Sequence, residues 1–154
     1  TGPIPRDLRP LIGTHIFGCD ICQDVCPFNA SAASRATPEP RLISRDRDHG
    51  TPDLIALAEL GQNQYRKFVK RSAMRRLSRA RLLRNVCVAL GNTRDPRATP
   101  VLTRRLSDSS PLVRSHAAWA LGRLGEIAAL LERQPIETDD FVKEEIAAAL
   151  ATTA

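Results

Sequence analysis

Aromatic side chains are scarce in this 154-residue sequence, at 4% of the total with one Trp and one Tyr. A core must therefore be filled mostly by Leu, Val, Ile and Ala. Long apolar runs are also missing. The longest, residues 127–131 and 146–151, fall far short of the ~20 residues that cross a bilayer, and no charged-then-apolar leader opens the chain. Membrane and export readings drop out. A disulfide framework is absent too: Cys19, Cys22 and Cys26 crowd into eight residues while Cys87 stands alone. That distribution predicts a ligand cluster in a reducing, cytoplasmic compartment. Position 1 is Thr and not Met, which predicts a processed chain or the back part of a longer one. With 42% hydrophobic and 26% charged residues, the chain has the makings of one or two small domains.

Acidic residues are missing from residues 60–94, and the imbalance extends beyond that stretch. The net charge of +6 divides into −2 for residues 1–60, +13 for 61–125 and −5 for 126–154. Such a concentration of positive charge predicts a polyanionic partner, most often nucleic acid.

Seven of the eleven prolines lie in the first 52 residues, and periodic apolar spacing begins only after them. Residues 1–34 read as an irregular cysteine-bearing segment and 35–50 as a linker. A helical repeat domain is predicted over 51–154. Thr51-Pro52 predicts an N-cap with Pro at the first helical position, and Gly61 a stop. The blocks Val86–Gly91 and Ala117–Gly122 then align over 31 residues, and Ile146–Leu150 follows at 29. Asp95-Pro96 and Ser110-Pro111 predict helix starts, as does Thr138 ahead of Asp139 and Asp140. The pattern predicts an all-α fold of short HEAT-like hairpins stacked into an α-solenoid, since one hairpin cannot bury its own apolar stripe.

The segment from Cys19 to Pro27 has the form C-x2-C-x3-C-P, the ending of a bacterial ferredoxin run. In such runs the Cys before Pro ligates the other cluster of a pair. The reading is a partial ferredoxin-like 4Fe-4S segment, with Cys19, Cys22 and Cys26 as metal ligands and further ligands supplied from elsewhere. A Cys3His zinc site built with His15 is the alternative. Cys87 aligns with Ala118 and reads as a small core residue.

Three stretches together carry a family resemblance: Gly13 to Asn29; Leu82-Leu83-Arg84-Asn85 with Ala89-Leu90-Gly91-Asn92; and Pro111-Leu112-Val113-Arg114 with His116 to Gly122. In this order they resemble the C-terminal portion of the epoxyqueuosine reductase family. The resemblance implies an oxidoreductase dependent on cobalamin and two 4Fe-4S clusters, acting on epoxyqueuosine in tRNA, the last step of queuosine biosynthesis. It implies that Cys19 and Cys22 complete one cluster and Cys26 the other, and that the cobalamin domain and catalytic residues belong to an upstream half. Phe28 stands where the family often has Trp, as cluster shielding or plain packing. The implied partners are the tRNA anticodon stem-loop and the upstream half, with the protein a monomer off the membrane. A ferredoxin-type electron carrier and a zinc-stapled nucleic-acid binder remain as rival readings.

Arg66, Lys67, Lys70, Arg71, Arg75, Arg76, Arg79 and Arg81 are the candidate nucleic-acid contacts. Arg71, Arg75 and Arg79 have i, i+4 spacing, which predicts one basic helical face. Arg76 falls in line with Leu83 and Cys87, so the early part of this helix must project beyond the core or bend. Arg84 and Arg114 read as ties between neighbouring turns, with Asp95 and Asp108 as the available acids. His116 and Trp119 read as packing residues.

Overall fold

The computed structural model describes residues 2–19, 21–28, 52–70 and 72–153. The linker at 35–50, Asp20, Thr51 and Arg71 lie outside the described residues. Among those described there are helices and no strands.

After the short turns α1 (Arg9–Ile12) and α2 (Ile21–Asp24), the repeat region begins with α3 (Leu54–Ala58) and α4 (Gln62–Phe68). A 3-10 turn at Ala73–Arg76 leads into α5 (Arg79–Thr93). Then come α6 (Thr99–Arg105), α7 (Pro111–Leu124), α8 (Ile127–Arg133) and α9 (Asp140–Thr153). Helix α7 is the centre of the stack, packed on α5 at one side and α9 at the other. Leu82, Leu83, Val86, Val113, Ala117, Leu121, Val142 and Ile146 are fully buried between them.

The 31-residue repeat has a steric cause. A Cβ at Gly91 would come within 2.8 Å of the Trp119 ring and 3.1 Å of the Ala120 Cβ. One repeat later, a Cβ at Gly122 would meet the Ala149 Cβ at 2.8 Å. Each glycine lets the next helix approach to near backbone contact, and small Ala residues complete the fit. Cys87 is buried as expected, and removal from water pushes its thiol up to about 12.

The helix ends follow local chemistry, with three corrections to the sequence reading. The cap of α3 is Asp53, whose carboxylate accepts the Ile55 N–H at 2.8 Å; Pro52 precedes the cap. Gly61 opens α4, its N–H donating to the Gln64 Oε1 at 2.8 Å. Asp139, not Thr138, accepts the Val142 N–H at 3.2 Å at the start of α9. In each case a carboxylate or amide side chain satisfies backbone N–H groups that a helix start leaves without partners. Helix α7 stops at Gly125, whose φ of +78° lets the Glu126 N–H reach back to the Leu121 carbonyl.

Buried charges tie the stack at its loops. Arg114 donates to both oxygens of Glu137 at 2.8 and 2.9 Å and to the Asp108 carbonyl at 3.0 Å, an inter-turn tie as expected. Its carboxylate partner is Glu137, however, and Asp95 is occupied by its neighbour Arg97. Burial by itself would raise the Glu137 pKa. Hydrogen bonds from Arg114, the Asp139 amide and Arg133 outweigh it and bring the group to about 2.

Candidate functional site

The cysteine-bearing segment is pinned to the repeats along residues 2–16. The Ile4 N–H donates to the His116 Nε2 at 3.1 Å, and Asn92 donates to the carbonyls of Arg9 and Gly13, each at 2.8 Å. Asn85 donates to the Ile16 carbonyl at 2.7 Å. Arg9, only 1% exposed, makes a two-point ion pair with Glu145 at 2.8 and 3.0 Å, and Arg6 joins the same carboxylate. Arg84 donates to the Gly2 carbonyl and to Asn85, so its structural role is to hold this segment.

His116 has no ligand role in this arrangement. Its Nε2 accepts from Ile4, so its proton sits on Nδ1 and points at the Leu112 carbonyl 2.8 Å away. Burial, aided by the nearby charges of Arg9 and Arg84, lowers its pKa to about 3.

Beyond Gly18 the segment turns outward. Cys19 and Cys22 are exposed and Cys26 is half-buried, on and around α2. Ile21, Val25 and Phe28 beside them are 53%, 73% and 82% exposed. Phe28 is therefore not a packing residue of this chain's core. Among the described residues no three His, Cys, Asp or Glu side chains converge on a common point, so His15 and the three cysteines do not form a ready four-ligand site. The donor set suits soft, thiolate-binding metal, but only as part of a ligand set.

The basic stretch divides into two parts. Arg66, Lys67, Lys70, Arg75 and Arg76 are exposed, and none makes an ion pair among the described residues. Arg66, Lys70 and Arg75 line a groove of about 510 Å³ with Tyr65, Val69 and Leu77, and among the described residues no acidic side chain lines it. Arg81 is half-buried.

Arg79 corrects the sequence reading. The chain does not continue as one helix from Arg71 to Arg79: the 3-10 turn ends at Arg76, Leu77 is extended, and Ser78 caps a new helix by accepting the Arg81 N–H at 3.3 Å. Tyr65 locks the break by donating to the Leu77 carbonyl. Arg79 therefore turns inward, donating to the Leu60 carbonyl at 2.9 Å and to Asp108 at 2.9 Å, and it belongs with the ties of the stack. Asp108 also accepts from Arg105 at 3.0 Å. The only sequence signal for this was Asp108, the one acid of its loop.

A family model described as HEAT repeats matches residues 71–151. The chain belongs to the HEAT-repeat family. Over 79% of its length it is 40% identical to an epoxyqueuosine reductase of Escherichia coli, and over 81% it is 44% identical to one of Pseudomonas aeruginosa. The resemblance carried by Gly13 to Asn29 and the two helical blocks is thus borne out. The chain spans about a third of these curated relatives, 31% and 34%. Among solved structures, an epoxyqueuosine reductase in complex with an epoxyqueuosine-modified tRNA stem loop superposes with a TM-score of 0.89 at 28% identity. That match covers 99% of this chain and 41% of the other. The epoxyqueuosine reductase of Streptococcus thermophilus gives 0.78 at 27%, covering 98% of this chain and 40% of that one. No described helix is long and apolar enough to cross a membrane.

Proposed function

We propose that this HEAT-repeat chain is the C-terminal portion of an epoxyqueuosine reductase and serves it in two ways: it completes two 4Fe-4S clusters and it holds the tRNA anticodon stem-loop. The observation that carries the reading is the tip bearing Cys19, Cys22 and Cys26, the first two exposed and the third half-buried, set beside exposed apolar side chains on a chain that is 40% identical to a reductase of which it spans about a third. Cys19 and Cys22 would ligate one cluster and Cys26 the other, the remaining thiolates coming from the part of the enzyme not represented here. When bound, the clusters supply electron transfer, and cobalamin, held elsewhere in the whole enzyme, supplies the chemistry at the epoxide.

The residues of this chain bind and orient. The buried Arg9–Glu145 pair and the His116 contact hold the segment that leads to Cys19, so the thiols are presented from a fixed base. Val25, Phe28 and Ile21 would keep water from a cluster seated there, which favours shielding over plain packing for Phe28. Arg66, Lys67, Lys70, Arg75 and Arg76, with Arg71 and Arg81, would meet phosphates without reading bases. A ferredoxin-type carrier would not need this basic surface, and a zinc-stapled binder would need the four ligands of His15 and the cysteines to converge.

The test is iron and sulfide content with and without the missing part. The 154-residue chain alone should hold no stable 4Fe-4S cluster and show no epoxide reductase activity, and co-expression with the upstream half should give a brown protein with two clusters. Cys26→Ala should then diminish a different cluster from Cys19→Ala, resolved by electron paramagnetic resonance. Four iron and four sulfide per monomer in the chain by itself would refute the shared-ligand reading.

A further inference from the structure

A cavity of about 330 Å³ lies away from the cysteines and the basic stretch and shares no lining residue with either. Arg6, Arg94, Arg123, Trp119, Glu145 and Ala148 are among the residues around it. Three arginines and one glutamate line it, and that carboxylate is already used: Glu145 receives both Arg9 and Arg6. The cavity therefore carries excess positive charge in a partly enclosed space.

Two of its arginines are left with unmet bonding capacity. The Nε–H of Arg123 is buried with no acceptor, while its guanidinium sits 5.7 Å over the Trp119 ring. A buried donor without an acceptor is costly, and native structures keep few of them. Arg94 makes no hydrogen bond or ion pair with any described residue. It also ends α5 in the left-handed region at φ +52°, a position that favours glycine and penalises any Cβ. A glycine there would be the more stable choice, so the strain is accepted where the side chain is of use.

We infer that this cavity binds a phosphate group, held by Arg94 and Arg123 with Arg6 at the rim. Guanidinium forks match phosphate oxygens two at a time, and the partial enclosure strengthens such bonds relative to those at an open surface. The phosphate could belong to an RNA backbone or be free in solution. The inference does not rest on the proposed function, because it draws on none of the cysteines or the basic residues between Arg66 and Arg81.

Trp119 is the chain's single tryptophan and lies under Arg123, so its fluorescence reports on the cavity. Inorganic phosphate, titrated against chloride at constant ionic strength, should give a saturable change in that signal. Arg94→Gly should weaken the response roughly tenfold while leaving the fold intact or firmer, and Arg123→Lys should weaken it with the charge preserved. An anticodon stem-loop RNA that competes with phosphate in wild type, and binds less tightly to the Arg94→Gly variant, would identify the backbone as the source. Saturable phosphate binding that the RNA does not disturb would assign the site to free phosphate. A flat phosphate titration, or a response that Arg94→Gly leaves unchanged, would overturn the inference.

Discussion

Glu137 and Glu145 are both nearly buried carboxylates gripped by arginines, yet they hold different things together. Glu137 takes Arg114 from 23 residues away and Arg133 from four, all within the helical stack. Glu145 takes Arg9 and Arg6 from 136 and 139 residues away, at the far end of the chain. The first pair builds the solenoid. The second fastens to it the segment that ends in the cysteines. Identical chemistry should therefore give unequal consequences when broken, because Arg114 belongs to a helix packed on both sides whereas Arg9 can leave with its segment.

The largest effect is expected from Glu137→Ala, which strands the Arg114 guanidinium inside the stack and should lower stability by about 3–5 kcal/mol in urea unfolding. The pair's pH behaviour sharpens this. Glu137 has a depressed pKa, so its contribution is full above its ordinary value of 4.5 and is lost as pH falls through about 2. The Glu137→Ala penalty should persist near pH 5 and shrink toward pH 2.

Gly122→Ala comes next, at about 1–3 kcal/mol, since its methyl group would press on Ala149 across two helices that cannot separate without losing their packing. Glu145→Ala should cost clearly less than Glu137→Ala in the same urea titration. Its signature should instead be faster hydrogen exchange at the Ile4 amide as the segment comes loose. Equal loss of stability from both substitutions would mean that segment and stack unfold as one unit.

Acid should release the segment in wild type by another route. His116 titrates near 3 when folded against an ordinary 6.5, so stability is full above pH 6.5 and declines as pH falls toward 3, where a second ring proton would confront the Ile4 N–H. In His116→Gln this pH window should vanish from the Ile4 exchange rate. The smallest effect on stability belongs to the exposed arginines: Arg75→Gln with Arg76→Gln should change it by less than about 0.5 kcal/mol. If both meet phosphates, the pair should reduce the salt slope of stem-loop binding by about 1.4–1.8, measured on protein that includes the upstream half.

Much of the stack was legible because its causes are local or strictly repeated. Gly91 and Gly122 occupy one register, Ala120 and Ala149 meet them from the next helix, and Ser110-Pro111 and Asp95-Pro96 announce helix starts. The candidate site was legible in its residue types, through three closely spaced thiols and an acid-free basic stretch. The misreadings share a reason. Spacing put Arg79 on one face with Arg75, but Ser78 offered a cap and Tyr65 a hydrogen bond to Leu77, and the helix broke between them. Gly61 carried a stop signal that Gln64 converted into a start.

By itself, then, the sequence determined the repeat period, the division of charge and the close spacing of three cysteines, since these depend on composition and short spacing. Tertiary structure alone decided which arginines face water and which face Asp108, Glu137 or Glu145. It also decided that residues 2–16 lie against α5, α7 and α9, and that Arg94 and Arg123 share a cavity with Trp119. The partners of these groups are separated by tens to more than a hundred residues. A buried charge is placed by whatever can neutralise it in three dimensions, and no local pattern records which carboxylate that will be.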